Sequence, residues 1–169
     1  RIGEKPSDIN AIRVATGEAD ALIVGDLVVS AGAKTLGLTR AGRTGAVVNS
    51  HEIITGAFTR DTEFRIPGER LALQLQGRLG DAVALFDASE LARALMGDSI
   101  FSNMMVFGAA WQRGLIPLSE EAILKAIELN GAAAEKNQRA FEIGRWAALN
   151  PREAARIAVR SGRRAASIG

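Results

Sequence analysis

Hydrophobic positions in residues 1–97 fall in short runs separated by glycines and polar clusters, whereas from Ser99 onward they fit helical spacing. Gly45-Ala46-Val47-Val48-Asn49 and Ala82-Val83-Ala84-Leu85-Phe86 are near-continuous apolar runs bounded by turn residues, the pattern of strands buried on both faces. Asp26-Leu27-Val28-Val29-Ser30 reads the same way between Gly25 and Gly32, and Ile12-Arg13-Val14 reads as an extended entry. Between these runs, Gly17 to Ile23 carries helix formers for about two turns. Residues 33–39 predict a helix stopped near Gly42. Pro67 suits a first helical turn, Leu71, Leu75 and Leu79 stripe the helix that follows, and Gly80 ends it. Asp87 or Ser89 can cap the next helix, which runs through Met96. Residues 53–67 are the least regular stretch. Strands alternating with helices predict a parallel sheet with crossover connections.

The second half predicts a helical layer. Residues 99–113 form one apolar helix ending at Gly114. Ser119 caps the next, with Glu120 and Glu121 favourably placed against its dipole, and Asn130-Gly131 closes it. A third helix spans about 132–149, and Pro151 opens a short basic tail helix. Alanines at 109, 110, 132, 133, 134, 140, 147 and 148 allow close approach of packed layers.

Composition narrows the chemistry. At 169 residues and 47% hydrophobic the chain can bury a core without staples. It has no cysteine, so it supplies no disulfide and no thiolate for zinc or an iron–sulfur cluster. With His51 its sole histidine, a multi-histidine metal site is excluded, and no metal site is expected. Residues 152–164 hold five arginines and one glutamate, leaving 16 basic and 18 acidic residues elsewhere. The body is therefore mildly acidic and offers no basic face for nucleic acid. The basic tail could meet an acidic surface or phosphates, or simply be a solvated or frayed helix end. No apolar stretch approaches a membrane span; the longest uncharged window of interest, Ser99 to Gln112, is 14 residues. The chain starts at Arg1 without a signal-peptide pattern, which suggests a cytoplasmic piece of a longer polypeptide. There is no dinucleotide-binding glycine fingerprint, no Walker loop and no nucleophile elbow, so no catalytic residue is assigned.

Several separated stretches nevertheless resemble one family. Gly17-Glu18-Ala19-Asp20 followed by Asp26-Leu27-Val28-Val29 is similar to a stretch of the indolepyruvate ferredoxin oxidoreductases. So are Gly42-Arg43-Thr44 with Ala46-Val47-Val48-Asn49-Ser50-His51-Glu52, and Leu95-Met96-Gly97-Asp98 with Asn103. The longest match is Ala110-Trp111-Gln112-Arg113-Gly114-Leu115-Ile116-Pro117-Leu118-Ser119, then Ala126-Ile127-Glu128-Leu129-Asn130-Gly131. Gly25 departs from the cysteine often found in relatives, and Ile53-Ile54 from their Thr-Pro pair.

The resemblance covers roughly residues 1–150 and implies the C-terminal portion of a gamma-type domain of a 2-oxoacid:acceptor oxidoreductase, with 151–169 a basic tail or linker. It implies a Rossmann-like three-layer α/β fold, a parallel sheet with crossover helices, followed by a helical C-terminal part. It also implies oxidative decarboxylation of an aryl or branched 2-oxoacid to acyl-coenzyme A in a full complex. Thiamine diphosphate and iron–sulfur clusters would belong to other domains or subunits, and ferredoxin would be reached through the complex. This chain would bind no cofactor itself and would be inactive alone. Two other roles remain open: a non-catalytic assembly domain, and an independent nucleotide-binding domain, against which the missing glycine-rich loop counts.

The best-placed polar cluster is Asn49, Ser50, His51 and Glu52, just past a predicted strand end, where open α/β sheets hold ligands. One reading makes it a contact for substrate, coenzyme A or a neighbouring domain. The other makes it a loop whose Asn and Ser satisfy backbone groups and whose His packs at an interface. Asp26 is expected to satisfy a turn. Trp111 is expected to pack in the core or against a partner, and Asn103 and Asn137 to find structural hydrogen bonds.

Overall fold

The structure is a computed structural model and describes residues 1–26, 33–51 and 67–166. Three parallel strands lie in the order β1 (Ala21–Val24), β2 (Gly45–Asn49), β3 (Val83–Phe86). Helix α1 (Ala33–Gly37) lies between β1 and β2 in the chain, and α2 (Pro67–Leu79) between β2 and β3. Then follow α3 (Ala88–Met96), α4 (Ser102–Gln112), α5 (Glu120–Asn130), α6 (Ala134–Leu149) and α7 (Pro151–Ala166). This is the α/β, Rossmann-like sheet with a helical C-terminal part. Among the described residues no helix is long and apolar enough to cross a membrane.

β1 corrects one expectation. The segment 17–23 is not a helix: Gly17 takes φ +69 in a turn, and Ala21-Leu22-Ile23-Val24 pairs in parallel with Gly45 to Val48. Good helix formers lose here to burial beside β2 and to the β-branched Ile23 and Val24, which suit a pleated surface. The strand expected over 26–30 lies outside the described residues except for Asp26, which follows β1 and is exposed. The irregular stretch 53–67 lies outside them up to residue 66, as does Glu52.

Side chains alternate across the sheet with period two. Val24, Ala46 and Val48 face α2, where Leu71, Leu75 and Leu79 are buried against them. Val47, Ala84 and Phe86 face a larger cluster built by α3, α4 and α6, with Leu91, Met105, Val106, Ala109 and Ala140 buried. Each fully buried large aliphatic side chain contributes about 1.5–3 kcal/mol.

Within the helical part, α4 and α6 cross almost backbone to backbone. A methyl group on Gly108 would fall 2.1 Å from the Phe141 carbonyl oxygen, and one on Gly144 would fall 1.9 Å from that of Met105. Both helices therefore carry glycine where they meet, each facing the other's main chain. The apolar helix expected over 99–113 divides into a 3₁₀ turn, Ser99–Phe101, and α4. The expected caps are present: Asp87 accepts from the Glu90 amide, Ser119 from the Ala122 amide, and Gly131 closes α5 with φ +72. Asn137 donates to the Ala132 carbonyl at 2.8 Å, fixing the turn before α6.

Arg145 ties three helices together. It pairs with Glu120 at 2.7 Å and Glu142 at 2.9 Å, and donates to Gln112 at 3.1 Å. Its guanidinium lies 4.7 Å from the Trp111 ring centroid. Trp111 is half-buried beside Phe141 and donates its indole N–H to the Leu118 carbonyl at 2.8 Å. Glu120, in the first turn of α5, is thus also an ion-pair partner of Arg145. Helix α7 is a regular helix through residue 166, and Ala154 and Ala158 are buried where it packs on α3.

Candidate functional site at the carboxyl edge of the sheet

Parallel pairing aligns Val24 with Val48 and Asn49 with Phe86, so the residues that follow the strands emerge side by side: Gly25, Ser50 and Asp87. The start of α3 brings Ser89 to this edge, and the start of α4 brings Ser102 and Asn103. Together Gly25, Asp26, Asn49, His51, Ser89, Ser102 and Asn103 line a cleft of about 260 Å³.

Asn49 holds this edge together. It is 6% exposed, and all its hydrogen-bonding capacity points inward. Its Nδ2 donates to the Gly25 carbonyl at 3.1 Å and to the Ser89 hydroxyl at 3.0 Å. Its Oδ1 accepts from the backbone amides of Ala88 at 3.0 Å and His51 at 3.3 Å. One carboxamide therefore ties the end of β1, the turn after β2 and the first turn of α3. Two donors and two acceptor positions is the full inventory of an Asn side chain, and each is used.

His51 sits outside this knot, exposed at the rim. Its Nδ1–H donates to Asp87, whose oxygens lie 3.2 and 3.3 Å away. Its Nε2 accepts from Arg93 at 3.3 Å, which assigns the proton to Nδ1. Arg93 also pairs with Glu90, one of whose oxygens is buried without a partner. Asp87 does double duty, orienting the imidazole while capping α3 through the Glu90 amide at 2.8 Å. Ser50 is half-buried and donates its amide to the Phe86 carbonyl at 2.9 Å. Of the four predicted residues, Asn49, Ser50 and His51 meet at the strand ends. Glu52 lies outside the described residues.

Sequence reasoning missed the far wall of the cleft. Ser102 is buried and Asn103 exposed at the start of α4, and the Asn103 carboxamide oxygen would be 2.7 Å from a methyl on Gly25. Glycine after β1 thus leaves the space that the Asn103 amide occupies. The signals for this were a pair of polar residues opening an otherwise apolar helix and the place of Asn103 in a stretch that resembles the family. Among the described residues no three acidic or histidine side chains gather to hold a metal ion. The cleft is lined by amide and hydroxyl groups together with the Asp26 carboxylate and the His51 ring.

No curated protein and no solved structure gives a significant match. A family model does: that of the pyruvate ferredoxin/flavodoxin oxidoreductases matches residues 1–147, running from before β1 almost to the end of α6 and including the cleft, the Asn49 knot and the glycine crossing. The chain therefore belongs to the pyruvate ferredoxin/flavodoxin oxidoreductase family.

Proposed function

We propose that this chain is the C-terminal portion of a gamma-type domain of an indolepyruvate-type 2-oxoacid:ferredoxin oxidoreductase, and that its cleft receives the amide-bearing arm of coenzyme A during acyl transfer. The parent reaction would be oxidative decarboxylation of an aryl or branched 2-oxoacid in the cytoplasm. Thiamine diphosphate and iron–sulfur clusters, which supply the decarboxylation and electron transfer, would come from partner domains or subunits, with ferredoxin as acceptor. The zero cysteine count fits that division, since no cluster can be held by thiolates of this chain.

One observation carries the reading. Three parallel strands end together at a cleft with neutral donors on one wall, Ser102 and Asn103, and a carboxylate-oriented imidazole on the other. Cleft formation at the carboxyl ends of parallel strands is the general location of ligand sites in open α/β sheets. In this reading Asn49 is a positioning residue, while His51, Ser102 and Asn103 are the contacts. Ser50 would complete the rim, and Glu52, outside the described residues, is proposed as a further contact on the sequence alone.

A second reading has a specific observation in its favour. Both ring nitrogens of His51 and all four Asn49 positions are already engaged within the chain, as expected of a purely structural edge in an assembly domain. Calorimetric titration with coenzyme A separates the two. Saturable binding that is abolished in Gly25→Ala, whose methyl displaces the Asn103 amide, supports the site. No binding at millimolar coenzyme A, with tight association to the thiamine-bearing subunit, supports the assembly role. The isolated chain, given 2-oxoacid, thiamine diphosphate, coenzyme A and an electron acceptor, is expected to show no turnover.

A further inference from the structure

Helix α7 lies beyond the residues matched by the family and carries a feature the oxidoreductase reading does not use. At 100° per residue, Arg152, Arg156, Arg160 and Arg163 fall within an arc of about 80° and form a row about 16 Å long. All four are exposed. The opposite face holds Ala154 and Ala158, buried, and the half-buried Ile157. Arg156 pairs with Glu153 at 2.6 Å, whereas Arg152, Arg160 and Arg163 have no ion-pair partner among the described residues. Val159, 48% exposed, stands in the same row.

A second observation lies alongside it. Ala94 of α3 with Ile157, Arg160, Ser161 and Arg163 of α7 line an open cleft of about 620 Å³. Its lining is apolar at Ala94 and Ile157 and cationic at the two arginines. We propose that this cleft and the arginine row dock an acidic segment of a partner polypeptide. Its carboxylates would meet the guanidinium groups, and an apolar side chain would rest against Ala94 and Ile157. Arginine suits that task because its fixed fork engages carboxylates bidentately.

The chemistry favours a protein over the other anionic surfaces. A membrane-surface helix needs a broad free apolar face, and on α7 Ala154 and Ala158 are buried, leaving only the half-buried Ile157 at the cleft. A nucleic acid would bring its phosphates against a body of net charge −2, with a single helix to hold them.

The test uses the full chain and a short labelled peptide of glutamates interleaved with leucines, followed by fluorescence anisotropy. Controls are the same peptide with serine for leucine, a single-stranded oligonucleotide, and phosphatidylserine–phosphatidylcholine vesicles. Binding of the leucine peptide should weaken with salt and fall at least about tenfold in Arg160→Glu/Arg163→Glu. Arg160→Gln/Arg163→Gln, which adds no repulsion within the helix, should lower it in the same direction with unchanged circular dichroism. Ala94→Trp fills the cleft and should reduce the leucine peptide to the level of the serine peptide. The proposal is overturned if the leucine peptide does not bind or if neither arginine pair matters. Equal binding of the two peptides to the wild type, or tighter binding of oligonucleotide or vesicles, would also overturn it.

Discussion

The α4–α6 crossing and the carboxyl edge of the sheet are both close-fitting, yet they are built by opposite means. At the crossing, Gly108 and Gly144 remove side chains so that two helices meet main chain to main chain. At the edge, Asn49 adds one side chain that ties three backbone segments together. The first region leaves no room for a ligand. The second is a frame around open space, because the Asn49 knot fixes one wall while Ser102 and Asn103 form the other and His51 stands at the rim. A site on this edge is preorganised by a residue that need not touch the ligand.

Substitutions should separate the two regions by size and kind of effect. The largest belongs to the crossing. Gly108→Val or Gly144→Val forces carbonyl and side chain apart and should destabilise by about 4 kcal/mol or more, in the range of severe core defects. Chemical denaturation should show this, and the double variant should lose its cooperative transition. Asn49→Ala comes next, at about 3 kcal/mol, because it strands the Ala88 amide and the Gly25 carbonyl. Ser119→Ala, which removes only the α5 cap, should cost about 1 kcal/mol, or about 2–4 °C in Tm. Ala133 takes φ +47, so Ala133→Gly should instead stabilise by about 1 kcal/mol or less. The smallest change in stability is expected for His51→Gln, within about 1 kcal/mol, because its side-chain hydrogen bonds to Asp87 and Arg93 are exposed. If Asn49→Ala proves as mild as His51→Gln, the knot does not hold the edge and the contrast between the regions fails.

How much of this was legible in the sequence varied by region. β2, β3 and the leucine stripe of α2 were readable because burial on both faces, or on one helical face, leaves a periodic trace. β1 was not, because Glu18-Ala19-Asp20-Ala21-Leu22 has helical propensity and only pairing with β2 overrides it. The polar cluster at residues 49–51 was readable as the end of a strand. Its division of labour was not, since Asn49's partners Gly25, Ala88 and Ser89 are distant in sequence. Asn103 as the far wall depended on Gly25, a relation only the fold creates. The alanine content of the last helices suggested close packing, but the actual closest approach rests on two glycines 36 positions apart. The tail helix was readable in outline from Pro151 and its arginines, while the face it uses against α3 came from packing.

The most direct test of the account is an amide-resolved NMR titration of the chain with coenzyme A. The account predicts saturable shifts confined to Gly25, Asp26, Ser50, His51, Ser102 and Asn103, absent in Gly25→Ala, with α5 and α7 unmoved. Shifts scattered over other surfaces, or none at millimolar coenzyme A, would contradict it.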